Sequence, residues 1–367
     1  MNTATEFETK LARARQLLRE TGHRGLLLNS YANFAWITGG GRNHVSIASD
    51  RGAGAVLVTP DEAYLLADNI EAVRLMEEEL ADLPLSVREF PWWSGNLVAE
   101  AHKIVPSAEL LADLPGSGAR ALSAAETVEL RNPLLPEEIE RYRRLGEDVA
   151  VVLTHVALHC RPALTEHQIA GMLGKGLMDF GIVPSVTLVA ADERIYTRRH
   201  PIPTSRRLER YVMLVVGGRR DGLHLSATRL VHFGPVSPEL RERHAACARV
   251  DAAFLSATRP GVALSEVFHL GQAAYAAEGY PDEWQLHHQG GPTGYAGRDL
   301  KGTPTASGGV LLHQAYAWNP SITGTKSEDT VLVTRDGLEV LSSTPDLPTL
   351  EATAGGTTYC RAAILER

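Results

Sequence analysis

At 367 residues, with 44% hydrophobic and 22% charged positions, the chain has an ordinary globular composition and length enough for two cores. Its net charge of −8 excludes nonspecific nucleic-acid binding, which needs a basic face. No run approaches the ~18–20 apolar residues of a membrane span, and three scattered cysteines (Cys160, Cys247, Cys360) offer neither a disulfide framework nor a paired thiolate for zinc, so a reducing cytoplasm is expected.

From the N-terminus, residues 5–22 read as an amphipathic helix with a threonine N-cap and Leu11, Leu17 and Leu18 on its apolar side, unlike a signal peptide. "GLLLNS", "GAVLVTP" and "EAYLLAD" are short apolar runs bounded by Gly, Pro and Asp, the mark of strands. Helix is expected over 70–81, a strand or short helix over 107–113, and a helix start at 123–129. This alternation makes a small α/β domain over 1–132, leaving 133–367 for a second domain. The second domain opens on a long helix with Pro136 near its first turn and Glu137, Glu138 and Glu140 at its positive end. Thr165 is the expected cap of the next helix and Gly181 its stop.

Beyond Gly181 the pattern turns to strands: "PSVTLVA", "YVMLVVGG", "LSATRLVHFG", "QAYAWNPSI", "DTVLVT" and "EVLSS". Two helices, at about 236–257 and 264–278, interrupt them. Segregated strands and helices predict an α+β domain, with helices on one face of an antiparallel sheet. The last 20 residues, with "TAGGTT", are expected to be loosely structured.

Candidate pocket residues fall into five groups. His200 precedes a proline in the polar loop "YTRRHPIPTSRRL", where an imidazole with an unperturbed pKa near ~6.5 is suited to proton transfer. In the hairpin "LVVGGRRDGLHLSATRL", Arg220-Asp221-Gly222 marks the turn, and alternation sends Leu223 one way and His224 the other. "LHHQGGPTGYAGRDL" gathers His287, His288, Tyr295 and Arg298 around glycines; His288 is expected to line the pocket, with His287 its buried neighbour. Arg298 either grips an anion through its planar fork or pairs with Asp299. Asn319 and Glu328 lie in "AYAWNPSITGTKSEDTVLV"; the competing role for Glu328 is a salt bridge to Lys326 or an arginine. Arg198, Arg199, Arg219 and Arg220 read as solvated charge, the cysteines as small core residues, and "GGG" at 39–41 lacks the setting of a phosphate loop.

The order of these segments resembles the creatinase, prolidase and aminopeptidase P superfamily. "NFAWITGG" is similar to its N-terminal domain, "LLPEEIERYRRLGEDVA" to its domain-joining helix, "HPIPTSRRLER" to its substrate loop and "SEDTVLVTRDGLEVLS" to its final strand pair. The resemblance implies a creatinase-type α/β domain followed by a pita-bread catalytic domain. It also implies a dinuclear metal site, whose five ligand positions fall on Val215, Ser226, His288, Asn319 and Glu328. Three of the four carboxylates are therefore replaced, and no metal or other cofactor is expected.

Creatinase supplies a metal-free precedent. By that likeness His200 is the acid/base of the substrate loop, Arg298 grips a substrate carboxylate, and Arg42 in "GGGRNH" reaches a partner's site across a homodimer. Asn319 and Thr228 stand where creatinase keeps acidic residues, so its own reaction is not implied. The expectation is a metal-independent hydrolase of a C–N bond in a small carboxylate-bearing molecule. His200, His288 and Glu328 would be catalytic, with Arg298, His224, Asn319, Ser226, Tyr295 and Arg42 binding substrate. An Xaa-Pro metallopeptidase, a lyase or isomerase, and a silent ligand-binding protein remain the alternatives.

Overall fold

Apolar runs broken by Gly, Pro and Asp become strands in the computed structural model, which describes residues 3–367. The chain forms two compact units, Met1–Glu138 with Asp221–Leu223, and Ile139–Arg220 with His224–Arg367. No described helix is long and apolar enough to cross a membrane.

The first unit carries six strands: β1 (Gly25–Ser30), β2 (Arg51–Val58), β3 (Ala63–Asp68), β4 (Ser86–Phe90), β5 (Leu110–Ala112) and β6 (Arg120–Ala121). They form one sheet in the order β4-β3-β2-β1-β5-β6, antiparallel where β1, β2 and β3 meet and parallel elsewhere. Helix α1 (Thr3–Thr21) begins at the first described residue, so its capping residue lies outside the described residues. Its Lys10 is fully buried between Glu6 at 2.6 Å and Glu138 at 2.9 Å. Helix α2 (Tyr31–Thr38) is capped by Ser30 and ends at Gly39, whose φ of 73° is open to glycine at little cost. The helix expected over 70–81 is shorter and changes type: α3 (Glu71–Arg74) runs into a π-helical turn, Leu75–Glu79. Helices α4 (Leu97–Ile104) and α5 (Ala124–Arg131) complete this unit, the latter closed by a Ser123–Glu126 capping box.

Helix α6 (Pro136–His159) leads into the second unit, and α7 (Glu166–Asp179) starts at the expected Thr165 cap. Gly181, with φ 68°, follows its end. Three long strands come next: β7 (Val183–Ala191), then, after α8 (Glu193–Thr197), β8 (Tyr211–Arg220) and β9 (Leu223–His232). The turn between β8 and β9 places Asp221 at φ 51° and Gly222 at φ 81°, a left-handed pair that matches hairpin twist. Helices α9 (Pro238–Ala257) and α10 (Leu264–Ala277) follow.

A second sheet joins β10 (Gly290–Thr293), β11 (Ala315–Trp318), β14 (Asp329–Thr334) and β15 (Gly337–Val340) in antiparallel order β10-β11-β14-β15. Between β11 and β14, the two-residue strands β12 (Ser321–Ile322) and β13 (Thr325–Lys326) fold about Gly324. Phe254, Val267 and Tyr275 of the helices pack with Tyr316, Trp318 and Val331 of this sheet in one core.

The C-terminal residues are ordered, contrary to expectation. Strands β16 (Thr349–Ala354) and β17 (Thr357–Ala362) form a hairpin, and β18 (Leu365–Glu366) adds in parallel to β9. The hairpin is tied down by Arg361, fully buried and paired with Asp251 at 2.8 Å and Asp329 at 2.9 Å. Arg229 reaches the same Asp329 at 2.8 Å. Four buried charges, two of each sign, thus join β9, α9, β14 and β17.

Candidate active site

Strands β7, β8 and β9 contribute Ser185, Val186, Leu188, Val215, Val216, Gly217, His224 and Ser226 to a pocket of about 180 Å³ in the second unit, and the two-residue spacing of His224 and Ser226 keeps both side chains on one face of β9. His200, His288, Gly297, Arg298, Asn319, Lys326 and Glu328 close it from the other segments. A larger hollow of about 600 Å³ runs along α6 and residues 339–346, but it gathers none of the candidate residues. The small pocket is where the chemistry converges.

Local structure explains the placement of the imidazoles. His287 and His288 precede β10 and are held by buried Gln289, whose Nε2 donates to the His287 carbonyl at 2.5 Å and the Trp284 carbonyl at 3.1 Å. Tyr275 Oη donates in turn to Gln289 Oε1 at 2.8 Å. Gly290 is required next: its φ is 92°, and a Cβ there would lie 2.1 Å from the Ala317 carbonyl of β11. The loop bearing His200 is anchored by Arg199, which binds Glu283 at 2.6 Å, Thr323 Oγ1 at 2.9 Å and Ser321 Oγ at 3.2 Å. Arg199 is therefore a tether rather than the solvated charge expected. Arg219 is buried, and Arg220 is bound to Asp148 at 2.5 Å, so they too depart from that expectation.

The three imidazoles meet. His287 Nε2 lies 3.0 Å from His200 Nε2, the His287 and His288 rings stack at 4.5 Å, and the ligating nitrogens of all three lie within 4.8 Å of one another. His200 is exposed, His288 half-buried and His287 buried. Burial, with Lys326 and His288 beside it, pushes the His287 imidazole down to about 2. Burial, then Arg298 and Lys301, push His288 down to about 4. Burial and Lys326 lower His200 as well. At neutral pH the cluster is thus a set of uncharged bases. Such a trio is a donor set for one transition-metal ion, but Lys326 and Arg298 oppose a further cation there.

Glu328 is the only carboxylate lining the pocket among the described residues, and its oxygens are engaged. Oε2 accepts from Lys326 Nζ at 2.7 Å and Thr228 Oγ1 at 2.7 Å; Oε1 accepts from Arg298 Nη2 at 3.1 Å. Burial alone would raise this carboxyl, but Lys326 and Arg298 outweigh it and hold it at about 2. Its partners are two cations and a hydroxyl, among them the salt bridges to Lys326 and an arginine that were the competing role for Glu328. Arg298 pairs with Glu328 and also donates to Ser226 Oγ at 3.3 Å, while its buried Nε has no partner. Asn319 is 3% exposed and its Oδ1 is likewise without a partner. Those two atoms are one unspent donor and one unspent acceptor.

Other expected binders fall differently. His224 lines the pocket, its backbone held by Gly294 and by the Tyr142 hydroxyl. Tyr295 is 1% exposed and is not among the lining residues; apolar packing takes it into the core. Arg42 belongs to the first unit, where Glu79 holds its guanidinium at 2.8 Å. Two contributors were underrated in the sequence. His287 is a direct partner of His200, and Lys326 is a pocket-lining cation; its signal was two-residue spacing from Glu328 across a β13–β14 link that keeps both side chains on one side. Cys160 and Cys247 are buried as expected, but Cys360 is exposed on the C-terminal hairpin.

The five positions of the implied dinuclear metal site are a valine, a serine hydroxyl, an imidazole, an amide and a carboxylate already neutralised by two cations. This set does not fit two divalent ions, which need several anionic oxygens.

The chain matches the family described as Metallopeptidase family M24 over residues 140–335, and the Creatinase/Prolidase N-terminal domain over residues 10–146. An uncharacterized peptidase of Staphylococcus aureus (strain MW2) is 24% identical over 223 residues, 58% of this chain and 63% of that protein. A counterpart from strain MRSA252 is 23% identical over the same span, so the match covers less than two thirds of either relative. Among solved structures, dipeptidase PepE from Mycobacterium ulcerans is similar with TM-score 0.79 at 18% identity, covering 100% of this chain and 99% of that one. Xaa-Pro dipeptidase from Bacillus anthracis gives 0.77 at 18% identity, and prolidase from Pyrococcus horikoshii OT3 gives 0.76 at 17%, each covering 92% of this chain and 98% of the other. At these identities the likeness is one of fold.

Proposed function

The chain belongs to metallopeptidase family M24, with a creatinase-type domain ahead of a pita-bread domain, and from that premise we propose that it is a hydrolase of a peptide-type C–N bond that works without a metal ion. The observation that carries this reading is the contact between His200 and His287 beside His288, three neutral imidazoles of which His200 and His288 line the pocket together with Arg298 and Asn319.

His200, the most exposed of the three, is the proton carrier. It takes a proton from water as the water oxygen bonds to the substrate carbon, and the π pair moves onto the carbonyl-type atom. When that pair returns, the C–N bond breaks; nitrogen leaves with the bonding electrons and takes the proton from the His200 imidazolium. His288 holds the water as a neutral acceptor. Arg298 binds the substrate carboxylate, and Asn319 hydrogen-bonds the reacting group. Val186, Leu188 and Val215 supply an apolar wall. The pocket volume of about 180 Å³ suits a small molecule rather than a long peptide. A homodimer in which Arg42 completes a neighbouring site belongs to the same proposal, and it requires Arg42 to leave or share Glu79.

The test is amine release from a panel of small carboxylate-bearing amides, Xaa-Pro dipeptides and guanidino acids, with enzyme dialysed against EDTA. Turnover of at least one substrate is expected, reduced by a factor of ~10²–10⁴ in His200→Ala. Turnover that appears only with added Mn²⁺ or Co²⁺, or a His200→Ala variant of full activity, would overturn the reading.

A further inference from the structure

We propose that Lys326 is a resident cation that takes over the electrostatic work of a metal ion in this pocket. The inference rests on the hydrolase reading and extends it to the group that stabilises the reacting oxygen.

Three observations carry it. First, Lys326 Nζ is 2.7 Å from Glu328 Oε2, with the side chains 5% and 4% exposed. An ammonium buried that deeply persists only beside a matching anion, and Glu328 is at the position where the family resemblance places a metal ligand. Second, Lys326 lines the pocket together with His200, His288 and Asn319, and its charge acts on all three imidazoles of the cluster. Glu328 takes one of its three N–H donors, which leaves hydrogens for a ligand oxygen. Third, the backbone fixes it. Lys326 ends the tight β12–β13 hairpin, paired with Ser321, and Gly324 turns that hairpin with φ 94° where a Cβ would meet the Tyr196 ring at 2.4 Å. Thr325, one residue before, is bound to His244 Nδ1 at 2.7 Å.

A fixed point charge facing the scissile group is what electrostatic stabilisation of an oxyanion requires. As water adds to the carbon, the π pair that moves onto oxygen becomes an alkoxide, and Nζ–H donates to it. When the pair returns and nitrogen departs with its proton, the ammonium is unchanged and no oxidant or co-reactant is consumed. The same charge explains the loss of carboxylates at Ser226 and Asn319. With Lys326 and Arg298 in place and Glu328 the single carboxylate, the pocket keeps a net positive charge, and a divalent ion would be repelled.

The test is Mn²⁺ titration by calorimetry, since Mn²⁺ favours oxygen donors and discriminates against a purely imidazole site. Two proteins with restored carboxylates are compared, Ser226→Asp/Asn319→Glu with Lys326 and the same pair with Lys326→Met, each checked for a cooperative thermal melt. Mn²⁺ should bind the Lys326→Met protein at least tenfold more tightly, and Lys326→Arg in the same background should resemble lysine. Equal affinity with and without Lys326 would overturn the proposal. In the otherwise native chain, Lys326→Met should lower kcat about a hundredfold on whichever amide the enzyme hydrolyses, with KM changed less than threefold; a lowered affinity with kcat intact would also overturn it. If the native enzyme hydrolyses none of the amides, the hydrolase reading fails by itself, while the Mn²⁺ comparison still decides the role of Lys326.

Discussion

His287 donates to or accepts from His200 across 3.0 Å, Nε2 to Nε2, so one proton is shared between a buried ring and an exposed one. Because burial holds His287 at about 2, the protonated form of the pair belongs to His200. His287 is then a positioning residue that fixes the His200 tautomer. His287→Phe should lower kcat by roughly 10–100-fold, as loss of an orienting partner does, with little change in KM. His287→Asn should recover part of the loss. A pH–rate profile checks this: the acid limb of the native enzyme should lie below ~6.5, the unperturbed imidazole value, and move in the variant.

Acid should weaken the fold in two overlapping windows. His287 has a folded pKa of about 2 against an unfolded value near ~6.5, so between those limits the unfolded chain binds more protons. Its contribution is complete above ~6.5 and lost progressively as pH falls toward 2. Glu328 is depressed too, so the stability it lends is present above its unfolded value of ~4.3 and lost as pH falls through about 2. Each group contributes a slope of at most ~1.4 kcal/mol per pH unit. Denaturant melts from pH 7 to pH 4 should show falling stability, and His287→Phe should flatten that fall.

Asp251→Ala should be severely destabilising. It removes the carboxylate that pairs with Arg361 at 2.8 Å and accepts from Ser327 Oγ at 2.5 Å, in a place where Arg361 is 1% exposed. Two buried guanidiniums, Arg361 and Arg229, are then left to share Asp329 alone, and removing one partner from a buried charge network costs about 3–5 kcal/mol. Urea unfolding measures it, and a change below ~1 kcal/mol would mean that water reaches the cluster.

Gly290→Ala tests the link between glycine geometry and the imidazoles. With φ 92° and a Cβ 2.1 Å from the Ala317 carbonyl, the strain alone is of order ~1–3 kcal/mol, and relief requires β10 to leave β11. His288 lies two residues away, so histidine resonances should shift along with the melting temperature.

The sequence displays most of the strands that build the pocket because their apolar alternation is local. Leu223 and His224 point to opposite faces as that pattern requires, and Thr165 caps its helix by a rule that spans only four residues. The C-terminal hairpin escaped because β16 and β17 bury little, with no alternation of apolar residues to mark them; the signal was the Gly355–Gly356 pair that turns it. Candidate residues 200, 224, 226, 288, 298, 319 and 328 all line one pocket, whereas Tyr295 does not. The pairing of Lys326 with Glu328 was legible as a salt bridge. Its burial was not, because that depends on distant segments such as the strand bearing Thr228, 100 residues before Glu328.

Strand β18 has a use beyond ordering the tail. Leu365 and Glu366 lie along Val231 and His232, so they occupy the outer rim of the sheet that bears Ser226 and His224. Cutting the polypeptide before Leu365 would leave a row of bare amides and carbonyls on β9, an invitation for another molecule to zip on. Such a shortened protein should precipitate or form oligomers on concentration even while its pocket keeps its shape.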